Sequence, residues 1–289
     1  MESQLPEPRV SVIVPNKGRF NVLERAISSV MEQEHKNVEI VIVDDSDDEL
    51  FQKIEEKYAH FRNIKVQRGK KGGDMVARLD GIRLATGDYI AFLDSDDRWN
   101  PEKLKEHLNI WENNPGITLS FDKWRDNIYS SVYASLVAHS ERVAIVDGRT
   151  IRNMLMVHGN FIHMSSIFTK RSYLNRLVLG AASPRPPFDL YLSYFLSMNS
   201  KICFINKLLT EKSDSEDSLG RNRIVMSKER HSILNMALSN LLGFKKPPGV
   251  SFKFYIWKYV TILGGIPSQP FLERYSVLVS KIEHKLIKS

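Results

Sequence analysis

The chain has 289 residues, of which 42% are hydrophobic and 26% charged, an ordinary composition for a globular protein with a full core. Its one cysteine, Cys203, excludes an intramolecular disulfide and a metal cluster built from thiolates. The first residues, MESQLPEPRV, lack the apolar core of a signal peptide, and no run of about 18 apolar residues occurs, so we expect no membrane-spanning helix. Together these features favour a cytoplasmic protein.

The net charge of +7 is unevenly distributed along the chain. Residues 220–289 contain 12 Lys and Arg against 3 Asp and Glu, so the basic excess belongs to this part. A nucleic acid, an anionic membrane surface or an anionic substrate could each explain it. We predict a helical basic C-terminal extension over residues 220–289. Within it, residues 252–263, FKFYIWKYVTIL, fit either a packed terminal helix or an element that contacts the membrane surface.

Apolar strands and amphipathic helices alternate through the first 115 residues. The pattern predicts strands at residues 9–15, 38–45, 64–66 and 89–93, with helices that begin near residues 21, 51, 74 and 100. Asn21, Asp74 and Asn100 are the expected helix caps. This alternation is typical of right-handed βαβ crossovers, and it predicts an α/β fold with helices flanking a mostly parallel central sheet.

The second part of the chain is less regular. A stiff loop, PRPP, leads into the helix that contains Asp189. Strands are predicted at residues 117–121, 164–169 and 201–209, and helices at residues 147–158, 171–177 and 188–199.

Two of the predicted strands end in carboxylates. The second strand ends in Asp44-Asp45, and the fourth runs into Asp94-Ser95-Asp96-Asp97. Ligands of open α/β sheets bind where the carboxyl ends of the strands meet. Carboxylates this close together repel one another unless a cation lies among them, and hard oxygen ligands suit Mg²⁺ or Mn²⁺. The fourth strand end therefore predicts a metal–diphosphate site, with a solvated acidic turn before a helix as the alternative.

Three stretches in this order and spacing, VSVIVP, VEIVIVDDS and ARLDGIRLATGDYIAFLDSDDRWNPEKL, resemble the family 2 glycosyltransferases, which have the Rossmann-like GT-A fold. The resemblance is strong over about residues 9–115 and traceable to about residue 215. It implies a glycosyltransferase domain at residues 1–219, with a nucleotide-sugar-binding half at 9–115 and an acceptor-binding half at 116–219.

The resemblance also implies an activity. We expect a metal-dependent, inverting hexosyl- or N-acetylhexosaminyl-transferase that uses a nucleotide-diphospho-sugar, with UDP as the favoured nucleotide and Mn²⁺ or Mg²⁺ as cofactor. The expected acceptor is a glycan or a polyprenyl-linked saccharide at the inner membrane face, where the basic C-terminal part could make a peripheral contact. Nucleic acid is not an expected partner.

In the acidic motif, Asp94-Ser95-Asp96 takes the place of the family's Asp-x-Asp sequence, which holds the metal that bridges the donor diphosphate. All three are expected to contact the nucleotide-sugar. Asp96 and Asp97 are the expected metal ligands, although the sequence leaves open which of Asp94, Asp96 and Asp97 contacts the ion directly. The chemical requirement is that a cation stabilises charge on the leaving nucleoside diphosphate.

The remaining donor contacts also follow from the resemblance. Asp45 takes the place of the base-binding aspartate, with Asp44 beside it, and Pro15 and Asn16 would form the opposite wall of the nucleotide pocket. Arg78 matches an arginine near the donor phosphates, where a guanidinium is well suited to bind.

Asp189 is the candidate general base, because the family places a carboxylate at the start of this helix to remove the proton of the acceptor hydroxyl. The alternative is a first-turn carboxylate that only favours the helix dipole. His163 could contact the diphosphate or the acceptor, or be structural. The chain departs from the family pattern at Gly18, at Leu79-Asp80 and at Phe188, where the family has Asn, Asn and Glu respectively.

Two other functional classes remain. A sugar nucleotidyltransferase would need a glycine-rich phosphate loop after the first strand, where this chain has only NKGR. A non-catalytic scaffold of the same fold would bind nucleotide-sugar or glycan without metal-dependent turnover, and Asp189→Asn would then change nothing beyond stability.

Overall fold

The computed structural model describes residues 7–125, 129–137, 141–175, 177, 187–198 and 200–212. The predicted C-terminal extension at residues 220–289, with its aromatic and basic segment, lies outside the described residues. Within the described ranges no helix is both long and apolar enough to cross a membrane.

The described residues form one mixed sheet with helices on both faces. The strands are β1 (Val10–Asn16), β2 (Val38–Asp44), β3 (Ile64–Arg68), β4 (Tyr89–Phe92), β5 (Arg98–Trp99), β6 (Ile117–Trp124), β7 (Val143–Asp147), β8 (Ile167–Lys170) and β9 (Lys201–Glu211). The helices are α1 (Phe20–Met31), α2 (Asp48–Tyr58), α3 (Asp74–Leu84), α4 (Lys103–Asn113), α5 (Ser130–Leu136), α6 (Gly148–His158), α7 (Arg171–Leu174) and α8 (Phe188–Leu196). Met164–Ser166 forms a short 3₁₀ turn before β8.

The first half of the sheet is parallel, in the order β3-β2-β1-β4. Both faces of β1 are buried because successive side chains point to opposite sides. Val12 belongs to the same buried cluster as Leu23 of α1, and Ile13 belongs to the cluster on the other face that contains Leu79 of α3. Complete burial of such side chains stabilises the fold by about 1.5–3 kcal/mol each. The continuous apolar runs in the sequence therefore form strands that are buried on both faces, as predicted.

The second half of the sheet mixes strand directions. β8 lies antiparallel between β4 and β6, β9 is parallel to β6, and β5 and β7 both pair antiparallel with β9. β4 is thus the strand at which the two halves join. The predicted α/β class, with a central sheet flanked by helices, is confirmed.

Three local expectations were wrong. Arg19, not Asn21, occupies the N-cap position of α1, without a side-chain cap bond, because Gly18 turns the chain earlier with a φ of +69°. Gly73 precedes α3 and puts Asp74 inside its first turn. Helix α4 begins at Lys103 with Glu102 at its N-cap position, although Asn100 Oδ1 accepts from the Glu102 N–H at 3.1 Å in the turn before the helix.

Candidate active site

The two acidic strand ends lie at the same edge of the sheet. β1 pairs in parallel with both β2 and β4, with Asn16 opposite Asp44 and Ile13 opposite Phe92. The carboxyl ends of all three strands therefore point the same way, and the loops that follow them surround one region.

Asp44 fixes the loop that follows β1. Its side chain is fully buried, and its Oδ1 accepts hydrogen bonds from Asn16 Nδ2 and Ser46 Oγ, both at 2.7 Å. The N–H of Gly18 in turn donates to Ser46 Oγ at 2.7 Å. Two of the predicted nucleotide-pocket residues, Asn16 and Asp44, thus lie together. The buried Asp44 carboxylate holds the loop in place through its hydrogen bonds.

Asp45 is enclosed by the loop that follows β3. Its Oδ1 accepts from the N–H of Lys71 at 2.8 Å, and its own N–H donates to Asn16 O at 2.8 Å. A Cβ on Gly69 would lie only 2.1 Å from Asp45 Oδ1, so this loop approaches as closely as it does because residue 69 is glycine. Pro15 is half-buried on the neighbouring strand. Sequence reasoning did not identify Gly69 as part of this wall.

Arg78 connects α3 to the acidic motif. Its Nη2 donates to Asp94 Oδ1 at 2.6 Å and its Nη1 to Asp74 Oδ2 at 2.5 Å, and only 7% of its side chain is exposed. Burial lowers the pKa of Arg78, but the two carboxylates outweigh burial and raise it above its ordinary value. Its Nε has no hydrogen-bond partner among the described residues, which leaves one donor for a further ligand.

The aspartates of the motif have different surroundings. Burial raises the pKa of Asp94, but the opposing effect of Arg78 and His163 is larger, so the net shift is downward. Burial raises the pKa of Asp96, and repulsion from Asp97 adds to it, against the opposing effect of Arg19. Arg19 Nη1 donates to Asp96 Oδ2 at 2.5 Å, a contact that the sequence did not predict. Asp96 therefore points toward the loop after β1.

Ser165 and His163 hold Asp97, which is almost fully buried. Asp97 Oδ2 lies 2.5 Å from Ser165 Oγ and 2.5 Å from His163 Nε2. The same serine hydroxyl accepts the Asp94 N–H at 2.9 Å. Burial lowers the pKa of His163, but Asp97 and Asp94 outweigh burial and raise it. Ser95 is also buried.

The donor atoms at this strand end fit a divalent cation. One ligand atom from each of Asp94, Asp97 and His163 lies within 4.8 Å of the other two, and the described residues contain no other group of three such side chains. Two carboxylates and an imidazole form a donor set that Mn²⁺ and related ions accept. Asp97 belongs both to this set and to the predicted ligand pair, whereas Asp96 belongs only to the pair.

Asp189 lies in the first turn of α8, near the same strand end. Its Oδ2 accepts from Asn160 Nδ2 at 2.5 Å, and its Oδ1 accepts from the Leu190 N–H at 2.8 Å. Phe188 packs edge-on against Phe92 of β4, with ring centroids 6.1 Å apart. This contact brings the start of α8 to the end of β4.

Burial raises the pKa of Asp189. The Leu190 N–H, Arg78 and His163 act in the opposite direction, and the net shift is upward. The charges of the acidic strand end are thus close enough to act on Asp189. A half-buried carboxylate with a raised pKa beside other charged groups is a candidate proton acceptor.

A fully buried polar network lies beneath the motif. Lys103 and Asp122 form an ion pair with no exposed side-chain surface, and His107 Nε2 lies 3.1 Å from Asp122 Oδ2. Thr210 Oγ1 lies 2.7 Å from Asp122 Oδ1 and 3.2 Å from Ser165 O. The network therefore supports the backbone of the serine that binds Asp97.

The family model of glycosyl transferase family 2 matches residues 11–178, which contain both acidic strand ends and His163. The chain belongs to this family. Among curated relatives, an uncharacterized glycosyltransferase of Rickettsia conorii is 39% identical over 110 residues, which are 38% of this chain and 18% of that protein. A GalNAc(5)-diNAcBac-PP-undecaprenol beta-1,3-glucosyltransferase of Campylobacter jejuni is 36% identical over 97 residues, or 31% of this chain and 30% of that protein.

Solved structures share the fold. TarS 1–349 of S. aureus in complex with UDP-GlcNAc is 21% identical, with a TM-score of 0.57 over 85% of this chain and 76% of that one. The mannosyltransferase PcManGT of Pyrobaculum calidifontis, in complex with GDP-Man and Mn²⁺, is 14% identical, with a TM-score of 0.58 over 97% of this chain and 86% of that one. At these identities the likeness shows the family fold alone.

Proposed function

We propose that the protein transfers a sugar, with inversion, from a nucleotide-diphospho-sugar to an acceptor hydroxyl, and that a divalent cation assists the transfer. The observation that supports this most strongly is the pairing of two features at one sheet edge. The acidic strand end offers a cation-binding donor set, and Asp189 presents a separate carboxylate with a raised pKa to the same region.

When bound, a divalent cation would stabilise the negative charge of the leaving diphosphate. The geometry favours Asp97 as one of its ligands, while the expectation that Asp96 is the second stays a prediction. Arg78 holds Asp94 at 2.6 Å and keeps an unpartnered Nε nearby, so we assign it to the donor phosphates. A guanidinium at this place remains charged throughout the working pH range.

Asp189 acts as the general base in this proposal. Its carboxylate accepts the proton of the acceptor hydroxyl while that oxygen attacks the anomeric carbon and the bond to the diphosphate oxygen breaks. A single displacement of this kind inverts the anomeric configuration. Asn160 and the Leu190 N–H fix both carboxylate oxygens and so orient the base.

We assign nucleotide binding to Asp45, Asn16 and Pro15, with Asp44 holding the loop between them. The Asp45 carboxylate can accept from an N–H of uracil or of guanine. We favour a UDP-sugar, which the complex of TarS with UDP-GlcNAc supports, while the GDP-Man complex of PcManGT keeps GDP as the rival. The transferred group would be a hexosyl or N-acetylhexosaminyl residue.

The acceptor is proposed to be a glycan or a polyprenyl-linked saccharide. The name of the Campylobacter jejuni relative includes an undecaprenol diphosphate carrier, which supports this class. The basic residues beyond position 220 would then favour a cytoplasmic protein that lies at the inner face of the membrane.

A thermal-shift screen of UDP, GDP and their sugars, with and without Mn²⁺, tests donor and metal together. We expect one nucleotide class to stabilise the full chain only with Mn²⁺, by about 2.7 kcal/mol at a concentration of 100 times its Kd. Asp97→Asn should remove the Mn²⁺-dependent part. Equal shifts with and without Mn²⁺ would contradict the metal assignment, and no shift with any nucleotide would contradict the donor proposal.

A further inference from the structure

We propose that His163 is a nitrogen ligand of the divalent cation, beside Asp94 and Asp97, and that the site consequently prefers Mn²⁺ to Mg²⁺. This inference rests on the proposed metal-dependent transfer. It assigns a role to His163, for which the sequence left three alternatives open: contact with the diphosphate, contact with the acceptor, or a structural role.

The distances support a shared ion. His163 Nε2 lies 2.5 Å from Asp97 Oδ2, and the three donor atoms lie within 4.8 Å of one another. Ligands on opposite sides of an ion with bonds of about 2.1–2.2 Å are about 4.4 Å apart. Side-chain adjustments of a few tenths of an ångström therefore bring all three atoms to one ion. The ion would replace the hydrogen bond between His163 and Asp97.

The imidazole is held in the required direction. His163 O accepts from both the N–H and the hydroxyl of Ser166, at 2.9 and 2.7 Å, which fixes the backbone of this residue. Its ring packs on Trp124 with centroids 5.0 Å apart, and 12% of the side chain is exposed. Nε2 thus points at Asp97 rather than at solvent.

The other two ligands are also oriented by neighbours. Arg78 holds Asp94, and Ser165 holds Asp97. Metal sites characteristically carry such second contacts, which keep each ligand in place. The surroundings of the three side chains are therefore those of a prepared site and differ from a solvated acidic turn.

The donor set determines the preference among cations. Mg²⁺ favours oxygen ligands throughout and dehydrates reluctantly, whereas the divalent transition metals also bind imidazole, with an affinity that rises from Mn²⁺ to Co²⁺ and Zn²⁺. A site with one nitrogen and two carboxylates should therefore discriminate against Mg²⁺, and removal of the nitrogen should reduce that discrimination.

Pulsed electron paramagnetic resonance of bound Mn²⁺ tests the assignment directly. The full chain is loaded with Mn²⁺ and inorganic pyrophosphate, which contains no nitrogen, so that ¹⁴N coupling of the imidazole type reports a histidine ligand. We expect this coupling in the wild type and in the control His60→Gln, where the exposed ring lies at the end of α2. It should be absent in His163→Gln.

Cation affinity provides the second measurement. In His163→Gln the Mn²⁺ affinity should fall at least about 10-fold and the Mg²⁺ affinity less, since loss of even a second-shell partner costs about 10–100-fold. Absence of ¹⁴N coupling in the wild type would overturn the proposal, as would equal losses for both cations. Absence of the coupling from the wild-type spectrum overturns the proposal even where His163→Gln does not fold.

The two proposals fail separately. Mn²⁺-dependent transfer without ¹⁴N coupling would overturn the assignment of His163 and leave the proposed function standing. Imidazole coupling that is present in the wild type and absent in His163→Gln would confirm His163 as a ligand. If the same protein turns over no sugar nucleotide, the proposed transferase activity would be contradicted. Absence of Mn²⁺ binding by the wild type would contradict the metal site itself.

Discussion

Ser165 joins the two ends of the acidic motif, since its hydroxyl accepts the Asp94 N–H and donates to Asp97. Its carbonyl oxygen accepts from Trp99 Nε1 at 2.9 Å and lies 3.2 Å from Thr210 Oγ1. It contacts no proposed substrate atom. Ser165 is therefore a positioning residue for the cation site.

Ser165→Ala should weaken Mn²⁺ binding about 10-fold, because Asp97 loses a hydrogen bond that fixes its direction. Ser197→Ala is the matched control, since that buried hydroxyl donates to the backbone oxygen of Tyr194 near the end of α8. Mn²⁺ affinity and unfolding free energy are measured for both variants. Equal Mn²⁺ affinities in the two variants, or a loss that follows stability alone, would contradict this role.

Residue roles at this site were predictable only in part. The sequence motifs identified Asp45, the aspartates of the acidic motif, Arg78 and Asp189, and the structure brings them to one sheet edge. The contact of Arg19 with Asp96 joins residues 77 positions apart, and that of His163 with Asp97 joins residues 66 positions apart. Such pairings depend on how the loops pack, which local spacing does not reveal.

At the scale of the elements, Glu39 holds β1, β2 and the turn before β4 together. Its buried carboxylate accepts from the hydroxyl of Ser11 and from both the N–H and the hydroxyl of Thr86. Burial raises the pKa of Glu39, but these hydrogen bonds and Lys65 outweigh burial and lower it from 4.5 to about 2. The ionised carboxylate therefore stabilises the folded chain.

Glu39→Gln should lower the unfolding free energy by about 3 kcal/mol near pH 7, since a pKa difference of one unit corresponds to about 1.36 kcal/mol. The folded pKa lies below the unfolded value, so this stability is present above about pH 4.5 and is lost as the pH falls toward about 2. Urea unfolding of both proteins at several pH values measures it, with exposed Glu55→Gln as control. A difference that does not shrink in acid would contradict the assignment.

Elements with strong local patterns were predicted well. The strands β1, β2 and β4 are continuous apolar runs because both of their faces are buried. The sequence did not predict α5, β5 or β7. β5 has only two residues, and β7 pairs with β9 along a single edge, where Ile145 is 46% exposed, so neither produces a long buried pattern. Their positions depend on β9, which lies far along the chain.

At the scale of the molecule, the site lies where the parallel and mixed halves of the sheet meet. The chain up to residue 115 provides Asp45, Arg78 and the acidic motif, and the described part that follows provides His163, Ser165 and Asp189.

The buried ion pair of Lys103 with Asp122 links these two parts of the chain below the site. Burial and Lys103 together lower the pKa of the neighbouring His107 to about 4, so His107 is neutral near pH 7. Loss of one partner of such a buried pair costs about 3–5 kcal/mol of stability.

The separation of donor site and base between the two halves is tested most directly by Asp189→Asn. Donor affinity with Mn²⁺ and release of nucleoside diphosphate are measured for the sugar nucleotide that stabilises the protein most, with water or a synthetic polyprenyl-linked saccharide as acceptor. Asp48→Asn, an exposed carboxylate in the first turn of α2, is the control for a helix-dipole effect. We predict unchanged donor affinity and a loss of turnover of about 10²–10⁴-fold in Asp189→Asn alone. Turnover at the wild-type rate in Asp189→Asn would contradict the account.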